Sequence, residues 1–173
     1  MNYEDFLKTK QHSIGEFGFN PSYYPSMAFD FQKAIIEKAV KKGRMAIFAD
    51  TGLGKTLIQL SIANNIVLET NKKVLILTPL AVAFQFIIEA NKLEIDDIEY
   101  SKDGKHTKKI VICNYERLHY FDSKDFVGVV LDESSILKNF DGKIKSQVTA
   151  FVKKIPYRFL STATPSPNDF IEL

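Results

Sequence analysis

Apolar residues fall along this chain in two alternating rhythms. Unbroken runs at Met45-Ala46-Ile47-Phe48, Val74-Leu75-Ile76-Leu77, Ile110-Val111-Ile112-Cys113, Val127-Gly128-Val129-Val130-Leu131 and Tyr157-Arg158-Phe159-Leu160-Ser161 have the length of buried strands. Between them lie stretches with helical spacing. Phe29 to Lys42 carries Phe31, Ala34, Ile35, Lys38 and Ala39 and stops at Gly43. A second helix opens at Leu57 and runs to about Asn71, and Ala81 to Lys92 forms a third once Pro79 has ended the strand before it. Gly142 to Lys154 sets lysines against Ile144, Val148 and Val152, an amphipathic helix. Residues 1–28, rich in Gly, Pro, Ser and Tyr, read as an irregular arm with one short helix at most. Apolar strands alternating with amphipathic helices predict an α/β domain over residues 29–173. Its central sheet is mainly parallel and covered on both faces. Such sheets bind ligands at the carboxyl ends of their strands, so the polar residues that follow each run are the first candidates for chemistry.

Composition narrows the class. A chain of 173 residues, 45% of them hydrophobic, suits one compact domain with a full core. No apolar run is long enough to cross a bilayer, so no membrane partner is expected. The start, Met1-Asn2-Tyr3-Glu4-Asp5, lacks the basic-then-apolar order of a signal peptide. Cys113 stands alone within an apolar run and reads as an inert core thiol, which points to an intracellular protein. The net charge of +2 is too mild to demand a nucleic-acid partner. The clusters Lys102, Lys105, Lys108, Lys109 and Lys138, Lys143, Lys145 read as solvated surface. His12, His106 and His119 have no metal-ligand spacing.

The most informative stretch is Ala49-Asp50-Thr51-Gly52-Leu53-Gly54-Lys55-Thr56, between the first strand and the second helix. Strand, glycine loop ending in Gly-Lys-Thr, then helix is the arrangement that cradles a nucleoside triphosphate. Glycines let the backbone bend and approach phosphate oxygens. Amides of the loop and of the first helical turn face the anion. Lys55 supplies a cation for the β- and γ-phosphates, and Thr56 a hydroxyl for magnesium. Asp132-Glu133 closes the run Val129-Val130-Leu131, where Asp132 is placed to hold a hydrated magnesium and Glu133 to orient or deprotonate a water. Gln32, on the helix before the loop strand, carries an amide able to read an adenine edge.

With these residues in order, the chain resembles the first RecA-like domain of a superfamily-two helicase or translocase, in its Swi/Snf-like branch and the forms carried by phages and prophages. Phe31-Gln32 resembles the glutamine motif, and Ala49 to Thr56 motif I, or Walker A. Leu77-Thr78-Pro79-Leu80, with Glu89 beyond, resembles motif Ia, and Val111-Ile112-Cys113-Asn114-Tyr115-Glu116 motif Ib. Asp132-Glu133-Ser134-Ser135-Ile136-Leu137-Lys138-Asn139 resembles motif II, or Walker B, and Ser161-Thr162-Ala163-Thr164-Pro165, with Asn168, motif III.

The resemblance implies a RecA-like three-layer sandwich of the P-loop NTPase class, with ATP and Mg2+ as cofactors. Gln32, Asp50, Thr51, Gly52, Leu53, Gly54, Lys55 and Thr56 would then bind nucleotide, and Thr56 and Asp132 the metal. Lys55, Asp132 and Glu133 would be catalytic. Ser161, Thr162, Ala163 and Thr164 would couple nucleotide state to strand grip, and Pro79, Leu80, Asn114 and Tyr115 would touch a DNA backbone, duplex or partly unwound. It implies the cytoplasm of a bacterial or phage-infected cell. It also implies a second RecA-like domain, not contained in this chain, that supplies a transition-state arginine. Arg44, Arg117 and Arg158 read as structural, so the isolated chain is expected to hydrolyse ATP very slowly. Ser134-Ser135 stands where RNA-directed branches carry Ala-Asp or Ala-His, which weighs against an RNA helicase and shortens the reach from motif II to motif III. A nucleotide-binding module without turnover is the alternative, and Glu133 argues against it. A nucleotide kinase would want an acceptor site and an arginine-rich lid, and neither is visible.

Overall fold

A computed structural model describes residues 17–138 and 142–163 of the chain. Six parallel strands form one sheet: β1 (Arg44–Phe48), β2 (Lys73–Thr78), β3 (Ile98–Tyr100), β4 (Ile110–Asn114), β5 (Phe126–Leu131) and β6 (Tyr157–Thr162). Their spatial order is β1-β6-β5-β2-β4-β3. Among the described residues, four α-helices accompany them: α1 (Asp30–Lys42), α2 (Lys55–Thr70), α3 (Ala83–Lys92) and α4 (Gly142–Lys153). Among the described residues, no helix is long and apolar enough to cross a membrane.

The period-two geometry of the strands divides the core in two. Val74, Ile76, Ile110, Ile112 and Phe159 point to one face, where Ile36 and Val40 of α1, Ile58, Ile62 and Ile66 of α2 and Phe86 of α3 cover them. Leu75, Leu77, Val111, Cys113, Val129 and Leu131 point to the other, under Val148 and Phe151 of α4. This is the three-layer α/β sandwich expected from the sequence. Two elements differ from expectation. β3 is a sixth strand, and residues 80–82 form a separate 3-10 turn ahead of α3. β3 has three residues, and its second and third are only half-buried, so it offers no apolar run to detect.

Residues 17–28 lie on this core. The Gly18 and Phe19 amides donate to Lys41 and Val40 carbonyls at 2.9 and 3.3 Å. The Ser22 and Tyr23 amides both donate to Oδ1 of Asn65, each at 2.9 Å, and the Tyr23 hydroxyl donates to the Leu93 carbonyl at 2.7 Å. Arg44 bonds the Pro156 carbonyl and lies over the Phe17 ring, while Arg117 bonds the Lys102 carbonyl.

What positions the site is the order of strand ends. β6 lies between β1 and β5, with Phe48 paired to Thr162 and Leu131 to Leu160. The loop after β1, the end of β6 and the turn after β5 are therefore consecutive along one rim.

Candidate active site

The loop from Ala49 to Gly54 leaves β1 and delivers the chain into α2, whose N-cap is Gly54. The Ala49 amide donates to the Thr162 carbonyl at 3.2 Å, which ties the loop's first residue to β6. Asp50 turns its carboxylate back to accept from the Thr51 amide at 2.7 Å. Gly54 has φ +75°, and a Cβ there would collide with Nε2 of Gln32. Gln32 is buried. Its Oε1 accepts from the Phe29 amide at 2.9 Å and its Nε2 donates to the Leu53 carbonyl at 3.0 Å. The amide expected to read adenine thus also braces the glycine loop against the start of α1. Lys55 donates to the carbonyls of Ala49 and Asp50 at 3.0 and 3.1 Å, so its ammonium folds back over the loop.

Facing the loop is the turn after β5. Asp132 is 8% exposed. Its Oδ1 accepts from Nε2 of Gln59 at 2.8 Å and its Oδ2 from the Thr78 hydroxyl at 2.9 Å. Burial raises its pKa, the neighbouring Glu133 charge adds to that, and the two hydrogen bonds and the Lys55 ammonium oppose it. Glu133 shows the reverse balance. Burial pushes its carboxyl up, but hydrogen bonds from Ser135 and Thr162, the Lys55 ammonium and the Ala163 amide together bring it below the usual carboxylate range. Both side-chain donors reach Oε1 at 2.7 Å. The link from the acidic pair to β6 is therefore made by Glu133 itself, and the short reach of the serines does not interrupt it.

Loop and acidic pair line one cleft of about 500 Å³, with Gly52, Lys55, Thr56, Asp132 and Glu133 on its walls. Gln85 and Glu89 of α3, which sequence reasoning had not placed there, complete it. A helix N-terminus, a lysine and a glycine loop on one side suit an anion. A threonine hydroxyl and a carboxylate are hard oxygen donors, which suit magnesium. With the inner side of each Asp132 oxygen already hydrogen-bonded, its remaining lone pairs can meet a hydrated cation. Such a cation would also offset the burial that disfavours the carboxylate.

Of the other expected residues, Ser161 is buried with no partner for its hydroxyl among the described residues, Thr162 joins loop to Glu133, and Ala163 supplies an amide to Glu133. Thr164, Pro165, Asn168 and Asn139 lie outside the described residues. Leu80 is exposed and Pro79 half-buried. Asn114 and Tyr115, expected to touch a DNA backbone, have side chains that are buried and bonded inward. Asn114 Oδ1 accepts from Tyr100 and its Nδ2 donates to Glu116. The Tyr115 hydroxyl donates to the Asp132 carbonyl at 2.6 Å. Sequence reasoning also missed Gln59, and placed Thr78 in motif Ia without its bond to Asp132. The available signal was polarity out of place: Gln59 interrupts Leu57-Ile58 and Leu60, one turn beyond Lys55 and Thr56.

A family model described as DEAD/DEAH box helicase matches residues 29–172. No curated protein sequence matches the chain. Among solved structures, the UvsW helicase from Bacteriophage T4 is similar with a TM-score of 0.71 at 16% identity, covering 99% of this chain and 64% of that one. The Sulfolobus solfataricus SWI2/SNF2 ATPase core in complex with dsDNA gives a TM-score of 0.69 at 22% identity, covering 90% of this chain and 36% of that one. At these identities the likeness is one of fold, and the chain spans less than two thirds of either structure.

Proposed function

We propose that this chain, which belongs to the DEAD/DEAH box helicase family as a first RecA-like domain of superfamily two, is the ATP-binding half of a DNA-dependent motor. The single observation that carries the proposal is the shared cleft of the glycine loop and the Asp132–Glu133 turn. ATP is the substrate, bound with its phosphates toward the amides of residues 52–56. Lys55 gives up its bonds to the Ala49 and Asp50 carbonyls and turns its ammonium to the β- and γ-phosphates. Magnesium, held by the Thr56 hydroxyl and through water by Asp132, would neutralise charge on the phosphate oxygens. Gln59 and Thr78 keep the Asp132 carboxylate aimed. Glu133 orients the attacking water and accepts its proton. Hydrogen bonds from Thr162 and Ser135 favour its ionised form and fix its direction. Thr162 also holds the loop through Ala49, so the end of β6 senses both sides of the cleft.

DNA as the second partner is supported by the duplex bound in the Sulfolobus solfataricus core. On this chain the exposed Leu80 borders an open groove of about 420 Å³ lined by Asn114, Glu116, Arg117, His119 and Tyr120. Contacts of this kind to phosphate carry little sequence information, so sequence preference is weak. Hydrolysis by this chain alone is very slow. Arg44 and Arg117 are spent on backbone carbonyls, and the arginine of a second RecA-like domain is worth roughly 10³ to 10⁵ in rate.

Replacing Glu133 with Gln in the full-length protein tests the reading. ATP binding persists and DNA-stimulated hydrolysis is abolished. Hydrolysis that survives the substitution refutes the role of Glu133, and a wild-type protein that binds no ATP refutes the function.

A further inference from the structure

Glu133 sits in a backbone conformation that something must hold. Its φ is +48°, in the left-handed region that a residue with a Cβ avoids. A relaxed Glu133 would swing its carboxylate away from the Thr162 and Ser135 hydroxyls that it now accepts from. The residue before it is pinned on both sides. The Asp132 amide donates to the Leu77 carbonyl at 2.8 Å, and the Asp132 carbonyl accepts from the Tyr115 hydroxyl at 2.6 Å.

That carbonyl belongs to the same rigid peptide plane as the Glu133 amide. Fixing its oxygen fixes the axis about which the φ of Glu133 is set. Leu77 holds the chain ahead of this plane, and Tyr115 holds the plane itself.

Tyr115 is well built for the task. It opens the 3-10 helix Tyr115–Tyr120 directly after β4, and it reaches the turn after β5 across the end of β2, which lies between those strands. Its ring is 2% exposed in an apolar layer that includes Leu77, Cys113 and Leu118, so packing sets where the hydroxyl points.

We propose that Tyr115 is a positioning residue for Glu133, its hydroxyl holding the peptide plane that presents the Glu133 carboxylate to the cleft. This rests on the reading of Glu133 as the water-orienting group. It gives the tyrosine of motif Ib a role inside the nucleotide site.

The test is Tyr115→Phe in the full-length protein, with Tyr100→Phe as control. The control removes a neighbouring hydroxyl, bonded to Asn114 at 3.0 Å, without touching the turn. Tyr115→Phe lowers kcat about tenfold, the rate equivalent of one buried hydrogen bond. ATP affinity and KM stay within about twofold, because the loop is untouched, and Tyr100→Phe leaves kcat unchanged. Wild-type kcat in Tyr115→Phe, a parallel loss of kcat and affinity, or an equal loss in Tyr100→Phe each overturns the inference. Independently of any variant, the Tyr115 hydroxyl proton gives a slowly exchanging NMR resonance in this chain, and its absence overturns the inference too. A silent Tyr115→Phe beside an inactive Glu133→Gln refutes the positioning role alone. A hydrolysing Glu133→Gln refutes the proposed function beneath it.

Discussion

Gly54→Ala and Gly52→Ala look alike in sequence and should behave differently. Both glycines have positive φ, +75° and +82°, so an alanine at either costs about 1–2 kcal/mol for the left-handed conformation. At Gly52 none of the described residues comes within 4 Å of the added methyl, and the cost ends there. At Gly54 the methyl meets Nε2 of Gln32 and displaces it from the Leu53 carbonyl. Gln32 is only 4% exposed, so a displaced amide loses its partner without gaining water, which adds about 1–3 kcal/mol. Urea unfolding at constant m should therefore place Gly54→Ala about 1–3 kcal/mol below Gly52→Ala, the contribution of the displaced Gln32 amide, since the left-handed cost is common to both. A cycle with Gln32→Ala isolates the cause: in the double variant the clash is gone, and the combined loss falls short of the sum by about 1 kcal/mol or more. Equal losses at the two glycines, or strict additivity with Gln32→Ala, would refute the brace between Gln32 and the loop.

Three further outcomes follow from the packing. Thr162→Val removes a hydroxyl from Glu133 but keeps the carbonyl that holds Ala49, so hydrolysis in the full-length protein falls about tenfold while ATP affinity holds; unchanged hydrolysis would count against Thr162 as an aligner. Asn65→Ala strips two amides of their acceptor and Tyr23 of a donor, costing about 2–4 kcal/mol; limited proteolysis within residues 17–28 accelerates, and an unchanged digestion pattern would show that Asn65 does not anchor this segment. Burial, with Glu116 adding and Arg117 opposing, pushes the Cys113 thiol from 9.0 up to about 12, so a disulfide reagent at pH 8 labels it only at the rate of unfolding. Its folded pKa lies above its unfolded one, so the associated stability is whole below pH 9.0 and is lost as pH rises toward about 12; immediate labelling of the native chain would contradict this burial.

The fold was legible because the central strands carry their own signature. β2, β4 and β5 are apolar along nearly their whole length and stop at polar residues, which marks both burial and the rim where ligands bind. The glycine loop and the Asp132–Glu133 pair were legible for the same reason, being the polar residues at strand ends. β3 was not, since three residues at a sheet edge make no pattern. The supports of the site were hidden more deeply. Tyr115 serves Asp132 only because β4, β2 and β5 are neighbours in the sheet, and strand order is not written in local sequence. Gln59 meets Asp132 across 73 positions of chain for the same reason. The brace that Gln32 makes between α1 and the loop was hidden too, because an amide that can read a base can also hold a loop.

A crystal structure of this chain grown with magnesium and a non-hydrolysable ATP analogue tests the central claim most directly. Triphosphate density should follow the amides of residues 52–56, with the Lys55 ammonium swung off the Ala49 carbonyl and the terminal phosphate facing Glu133. Density elsewhere on the molecule, with Lys55 still bonded to Ala49 and Asp50, would contradict the account.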